Sequence, residues 1–171
     1  EYSYEITGYK TKRQGTGQQM VPVQMTRTVR NQEITTIAGK DLQFFSGDGS
    51  AKPFVVALDA KTGDERWRFQ RESDYPKQFA FSTPTVIIVK GRRQLITPGA
   101  GVVNALNPAT GEEIWRVRYN GYSVIPKPVF GHGLVFLSTG YDSPTVMAIR
   151  PDGSGDVTDT HVEWESKPGA P

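Results

Sequence analysis

Two stretches of this chain, 48 residues apart, read alike. Ala57-Leu58-Asp59 is followed by Thr62-Gly63 and Trp67, and Ala105-Leu106-Asn107 by Thr110-Gly111 and Trp115. Both fit A-L-[DN]-x-x-T-G-x-x-x-W. A looser third copy runs Ala148-Ile149-Arg150, Gly153 and Trp164, and its Trp lies 49 residues after Trp115. All three Trp of the 171-residue chain therefore fall on one repeating position. A period of this length marks stacked supersecondary units, none of which buries its apolar face alone.

The flanks repeat as well. Leu42 to Gly47 precedes the first motif as Leu134 to Thr139 precedes the third, and Ser82-Thr83-Pro84-Thr85-Val86 has a counterpart in Ile125 to Val129. Each unit holds four β-rich runs between turn residues. In the middle unit these are expected at Thr83 to Val89, Gln94 to Thr97, Val102 to Asn107 and Ile114 to Tyr119. No apolar stripe at helical spacing is sustained, so no helix of consequence is expected. The 18 Gly and 12 Pro suit a chain with many tight turns.

Four antiparallel strands per unit of about 40–49 residues is the arithmetic of a β-propeller blade. Asp59 and Asn107 end a third strand with a short side-chain acceptor. Gly63 and Gly111 take positive φ in a short hairpin loop. The small Ala57, Ala105 and Ala148 leave room beside a neighbour, and Trp67, Trp115 and Trp164 each bury a flat face between adjacent sheets. Full burial of such a ring contributes roughly 2–3 kcal/mol. The expectation is an all-β chain, a partial β-propeller of about three four-stranded antiparallel blades, at about 32–69, 80–119 and 122–165 within residues 32–171.

The two motifs A-L-D-A-K-T-G-D-E-R-W and A-L-N-P-A-T-G-E-E-I-W resemble the tryptophan-docking motif of pyrroloquinoline quinone (PQQ)-like β-propeller repeats. Ser82-Thr83-Pro84 resembles the entry to the inner strand of such blades, and Ser46-Gly47-Asp48-Gly49 the turn after their second strand. The resemblance covers about residues 32–165 and is specific for fold rather than activity. It implies the eight-bladed type when complete. The family takes in quinoprotein alcohol and sugar dehydrogenases, the propeller lipoprotein of the outer-membrane barrel assembly machine, and uncharacterised exported bacterial proteins; Ser138 to Trp164 looks most like the last group. It also implies an extracytoplasmic, periplasmic or secreted, bacterial setting.

Residues 1–31 lack the motif and are expected to form a β-rich segment, with Tyr2 to Ile6 and Met20 to Val29 as strands of a preceding blade. Five basic against two acidic residues give this stretch +3, leaving −1 for the rest of a chain whose net charge is +2. Such sparse charge, without interleaved aromatics, argues against nucleic acid as partner. No run of about 18 apolar residues occurs, so no helical membrane span is expected. Three blades leave two open flanks. The chain is therefore expected to be a segment of a larger propeller, or to complete one through protein partners or self-association.

Support for catalysis is thin. Zero Cys excludes disulfides, thiolate zinc sites and Cys nucleophiles. There is no G-x-S-x-G elbow and no phosphate loop, and Gly99-Ala100-Gly101 lacks the helix a dinucleotide fingerprint requires. His132, between two glycines, reads as a hairpin tip, and His161 as a solvent-facing strand position. The sharpest alternative is metal: Asp152, Ser154, Asp156, Thr160 and Glu163 stand at positions 1, 3, 5, 9 and 12 of a calcium-type loop. Val157 stands where that loop needs Gly and no helices flank it, so the plain reading is an exposed, elongated hairpin. No residue matches a quinone-binding position. The leading expectation is a non-catalytic scaffold or protein-interaction segment without cofactor. The alternative is a fragment of a PQQ-dependent quinoprotein dehydrogenase using PQQ and Ca²⁺. A third reading is a carbohydrate-binding or sensory domain with contacts at Tyr75, Tyr122 and Tyr141.

Overall fold

Alternating β-branched and aromatic residues, punctuated by Gly, Pro and Asn, favour short strands joined by tight turns, and nearly every element of the structure is a strand. The computed structural model describes residues 2–14, 17–29, 35–37, 39–48, 52–140 and 144–166. The chain divides into two units, Glu1–Glu33 and Ile34–Pro171. In the first unit, β1 (Tyr2–Gln14) and β2 (Gly17–Val29) form an antiparallel hairpin in which Tyr2 faces Val29 and Gln14 faces Gly17. Both strands run longer than the sequence suggests: β1 continues past Ile6 to Gln14, and β2 begins at Gly17 instead of Met20.

The second unit holds three sheets. The first consists of β3 (Thr35–Ile37), β4 (Lys40–Gly47), β5 (Phe54–Asp59) and β6 (Glu65–Gln70), paired in that order. The second has β7 (Thr85–Val89), β8 (Arg92–Gly99), β9 (Val102–Leu106) and β10 (Glu113–Arg118). The third has β11 (Val129–Gly131), β12 (Leu134–Ser138), β13 (Val146–Ile149) and β15 (Val162–Ser166). Each is an antiparallel meander with its first strand at one edge and its fourth toward the other. The hairpins that join first and second strands use a positive-φ pair, Lys90 (49°) with Gly91 (78°) and His132 (51°) with Gly133 (77°). Two successive positive φ values match the right-handed twist of the strands they connect. His132 is thus a turn residue, as the sequence implies.

Cross-strand register explains the motif. Ala57 faces Trp67, Ala105 faces Trp115 and Ala148 faces Trp164 across the third and fourth strands. The small residue makes room for the indole of its own sheet. Val55, Ala57, Trp67, Leu95 and Leu106 form a buried cluster between the first and second sheets. A larger one, centred on Trp115, Ile96, Val135 and Ile149, lies between the second and third. Three sheets, each built on a four-stranded antiparallel meander and packed face against face with their cores in the seams, make this unit a partial β-propeller.

The loop before β15 differs from expectation. It is exposed at Asp152 and at Ser154 to Asp156, but it is not a hairpin. Gly155–Asp156 forms β14, which adds to the outer edge of the second sheet and runs parallel to β10, with Trp115 opposite Gly155 and Arg116 opposite Asp156. A single helical turn follows, α1 (Thr158–His161). Val157, between them, is buried in the seam cluster, and its amide donates to the Arg116 carbonyl at 3.0 Å. An apolar side chain at that point anchors the otherwise exposed loop to the neighbouring sheet.

Candidate functional site: the blade seams and the connector face

The first seam is closed by one indole and one loop. Trp67, on β6, is 9% exposed and donates its Nε1–H to the Pro108 carbonyl of the second sheet at 3.1 Å. Beneath the ring lies Gly111, where a Cβ would sit 2.6 Å from Trp67 Cε3. The loop is pre-shaped by its own chemistry: the Gly111 amide bonds back to the Asn107 carbonyl at 2.8 Å, and Asn107 Oδ1 accepts from the Ala109 amide at 2.9 Å. The second seam solves the same problem through a relay. Trp115, fully buried, donates to Gln94 Oε1 at 2.9 Å, and Gln94 Nε2 in turn donates to the Pro151 carbonyl of the third sheet at 2.9 Å. Pro151 follows Arg150 as Pro108 follows Asn107, so the acceptor position is shared and Gln94 spans the added distance.

The third motif has no such cover. Trp164 is 45% exposed and touches Phe136 of its own sheet, ring centroids 6.0 Å apart. The expectation that all three indoles are buried between sheets therefore fails at the third. Among the described residues, no loop lies against it in the way that Asn107–Gly111 lies against Trp67.

An ionic knot that the repeat does not encode ties the first seam at its other end. Arg71, which follows β6, has a fully buried side chain. Its Nη1 donates to the Thr97 carbonyl and to Asn104 Oδ1, both at 2.8 Å, and its Nη2 to Thr97 Oγ1 at 2.9 Å and Ser46 Oγ at 3.2 Å. Nε lies 3.2 Å from Asp48 Oδ1, off the line of a hydrogen bond. Ser46 donates to the other oxygen of Asp48. Burial pushes the Asp48 carboxyl up, against the pull of Arg71 and Ser46. Burial likewise raises the neighbouring Tyr119 phenol, which donates to the Gly99 carbonyl. Gly99 is required here, since a Cβ would lie 2.6 Å from the guanidinium. Asn104 extends the network to Glu113 at 2.7 Å, and Glu113 pairs with Arg116. A buried guanidinium with this many acceptors fixes the relative register of two sheets.

The calcium-type positions are not gathered. Asp152 pairs with Lys90 at 3.1 Å, which holds its carboxyl below the usual range. Asp156 accepts from Thr158 and Arg118, and the Thr158 hydroxyl is the leading cause of its lowered pKa. Glu163 pairs with Arg150, and Ser154 is exposed in the loop before β15. Among the described residues no group of three or more His, Cys, Asp or Glu could hold a metal ion. His161 ends α1, not a strand; its Nδ1 lies 2.7 Å from Thr160 Oγ1 and its Nε2 3.8 Å from Asp152. Asp59 caps its own loop through the Lys61 amide at 2.9 Å and binds Arg66 at 2.6 Å, so its pKa falls to about 2, with Arg66 the leading cause.

A second surface forms where the connectors between sheets run side by side. Ala80 bridges Val124 in parallel, the Phe81 amide donates to the Val124 carbonyl at 2.7 Å, and the Ser123 amide to the Phe79 carbonyl at 2.6 Å. With Ala80 and Val124 turned inward, their neighbours Phe79, Phe81 and Ile125 stand 50%, 64% and 66% exposed. Tyr75 and Tyr122 stack here, centroids 6.0 Å apart, with Lys77 over the Tyr122 ring at 4.3 Å. Two of the three sugar-contact candidates thus come together, but Tyr122 has Tyr75 and Lys77 against it. The third, Tyr141, lies outside the described residues. Sequence reasoning missed Arg71, Gln94 and the Phe79–Phe81–Ile125 group, none of which recurs with the 48-residue period.

The family model described as outer membrane protein assembly factor BamB matches residues 51–169. Among solved structures, that of BamB from Moraxella catarrhalis is 17% identical over 76% of this chain, with a TM-score of 0.48. This chain spans only 35% of that protein's length. No curated protein matches. Together with three Trp-bearing sheets at the spacing of the motif, the family match places the chain: it belongs to the PQQ-like β-propeller repeat family whose model bears the BamB description.

Proposed function

We propose that this chain is a non-catalytic part of a propeller scaffold, set outside the bacterial cytoplasm, whose work is to hold and present surfaces to another protein. The observation that carries the reading is the connector face. Phe79, Phe81 and Ile125 are held outward by a backbone ladder whose inward residues are buried, so their exposure follows from the fold. Adjacent exposed apolar side chains on a rigid rim are the usual footprint of a protein contact. The description of the matched family, an assembly factor, is of the same kind. Ion pairing also supports it, since Asp59, Asp152, Asp156 and Glu163 each have a cationic partner.

Two experiments test it. Dye-linked oxidation of alcohols and aldoses in the presence of PQQ and Ca²⁺ is expected to show no turnover; turnover would establish the dehydrogenase reading instead. A photoreactive residue at position 81 is expected to give one discrete cross-linked protein in the envelope of the producing cell, lost in a Phe79→Ser/Ile125→Ser background. Cross-linking unchanged by those substitutions would remove the connector face from the account.

A further inference from the structure

The two seams share a frame but are filled differently where the fourth strands end. Arg71 and Tyr119 each stand four residues after a docking Trp. Cross-strand register matches the other positions: Thr97 of the second sheet with Leu137 of the third, Asn104 with Met147, Glu113 with Val162, and Arg116 with Glu165. In the first seam this space is full. Arg71 reaches across to the Thr97 carbonyl and to Asn104, both at 2.8 Å, and Asn104 passes the network on to Glu113 and Arg116. In the second seam Leu137, Met147 and Val162 offer no such partners. Tyr119 turns back to its own sheet, where its hydroxyl donates to the Gly99 carbonyl.

What the ionic knot fills in the first seam is left as a cleft in the second. The cleft measures about 680 Å³ and is lined by Tyr119 and Asn120 at the end of the second sheet and by Thr139, Thr145, Met147 and Val162 of the third. Thr139 and Thr145, 1% and 7% exposed, are fixed against each other: the Thr139 amide donates to the Thr145 carbonyl at 2.9 Å, and the Thr145 amide to Thr139 Oγ1 at 3.0 Å. Asn120 Oδ1 is held by the Tyr75 hydroxyl at 3.0 Å. Among the described residues, Asn120 Nδ2 and the Thr145 hydroxyl have no partner, and the Thr139 hydroxyl has no acceptor. The charges at the rim are committed: Arg118 lies 3.1 Å from Asp156 and 3.9 Å from Asp74, and Glu165 is engaged as well.

The groups left over are neutral donors and acceptors above an apolar floor. A charged ligand would give up its hydration here without meeting a counter-charge. A purely apolar one would cover the Thr145 hydroxyl and the Asn120 amide and leave them unpaired. A ligand with hydroxyls, an apolar face and no net charge satisfies both, and the cleft has the size of a small-molecule site with a few fixed polar groups.

We infer that this cleft binds a neutral mono- or disaccharide, whose hydroxyls bond to Asn120 and Thr145 and whose C–H face rests on Met147 and Tyr119. It lies in the seam between the second and third sheets, so the two outer faces of the unit take no part in it. The inference goes beyond the scaffold reading, which the cross-link and the oxidation assay test separately.

Nuclear magnetic resonance of methyl-labelled Met in the full chain tests the site. Met147 lines the cleft, while Met20 and Met25 belong to the first unit and serve as controls. With glucose, maltose, cellobiose and trehalose each added to about 20 mM, at least one sugar is expected to shift the Met147 methyl and leave the other two unmoved. Glucuronate, a charged probe, and N-acetylalanine methylamide, a peptide probe, are expected to leave Met147 unmoved. Thr145→Val and Asn120→Ala, each confirmed as folded by its melting, are each expected to weaken sugar binding about tenfold, the loss of one hydrogen-bonded contact. Silence of Met147 toward all four sugars overturns the site. Binding that either substitution leaves unchanged overturns it too, as does a response to glucuronate or to the peptide amide as strong as that to the sugars.

Discussion

Replacing Trp115 by Ala should do more damage than any other single truncation in the second unit. The indole has no exposed surface and sits among Ile96, Val117, Val135 and Ile149, so its removal opens a cavity at the centre of the larger seam. Buried Trp→Ala changes cost about 3–5 kcal/mol through lost transfer energy and an unfilled void. A second loss adds to this. Gln94 is 6% exposed and its Oε1 accepts from Trp115, so truncation strands a buried amide oxygen at roughly 1–3 kcal/mol. Partial collapse of the site and overlap between the two losses put the expected total at about 4–5 kcal/mol. For a chain of this size each kcal/mol moves the melting midpoint by about 2–4 °C, so the drop should be roughly 8–20 °C by far-ultraviolet dichroism. Trp115→Phe separates the parts, since it keeps most of the ring volume and removes only the N–H; it should cost about 1–3 kcal/mol. Trp67→Ala should fall between. Trp164→Ala should cost about 1 kcal/mol, the worth of one exposed aromatic pair with Phe136. A Trp115→Ala variant melting within 2 °C of the wild type would refute the reasoning, as would a Trp164→Ala variant that melts lower than it.

Gly111→Ala should lose about 2–4 kcal/mol, combining the left-handed backbone with collision against Trp67, whereas Gly63→Ala should lose only about 1–2 kcal/mol for the backbone alone; equal losses by urea titration would mean that Trp67 does not rest on Gly111. Arg71→Met leaves the Asp48 charge buried without its partner and should cost about 3–5 kcal/mol, and Arg71→Met/Asp48→Leu should recover most of that by the same titration. Asp59 has a folded-state pKa of about 2, lowered from 3.8, so its contribution is present above pH 3.8 and is lost as pH falls toward 2; Asp59→Ala should therefore flatten the acid limb of stability in that window and leave its slope near neutral pH unchanged. The Val157 amide, bonded to Arg116 across the seam, should exchange with solvent far more slowly than the exposed Ser154 amide, and equally fast exchange would remove β14 from the second sheet.

The repeat made the sheets legible because each motif residue meets one local demand. Asp59 and Asn107 cap loops, Gly63 and Gly111 supply positive φ, and Ala opposite Trp is a cross-strand size match. Such demands recur wherever the unit recurs, so they show as periodicity. What joins the units is less regular. Gln94 exists to carry the Trp115 hydrogen bond across one seam, and Leu42 occupies the corresponding place in the first sheet. Arg71 and Asp48 come from connector and turn, and their meeting with Thr97 and Asn104 depends on how two sheets are set against each other. No local pattern announces that. The loop before β15 misled for a related reason: Asp152-Gly-Ser-Gly-Asp156 is turn composition, and only the buried Val157 beside it signals a loop anchored to the neighbouring sheet. The exposure of Trp164 is a property of what lies against it, which its own residues do not record.

Hydrogen exchange at the three indole Nε1–H groups, followed by nuclear magnetic resonance, tests the central claim most directly. Two resonances, those of Trp67 and Trp115, should persist long after transfer to deuterated solvent, and the third, Trp164, should vanish at once. Three indoles exchanging at one rate would contradict a fold in which two seams are sealed by tryptophan and a third docking face stands open.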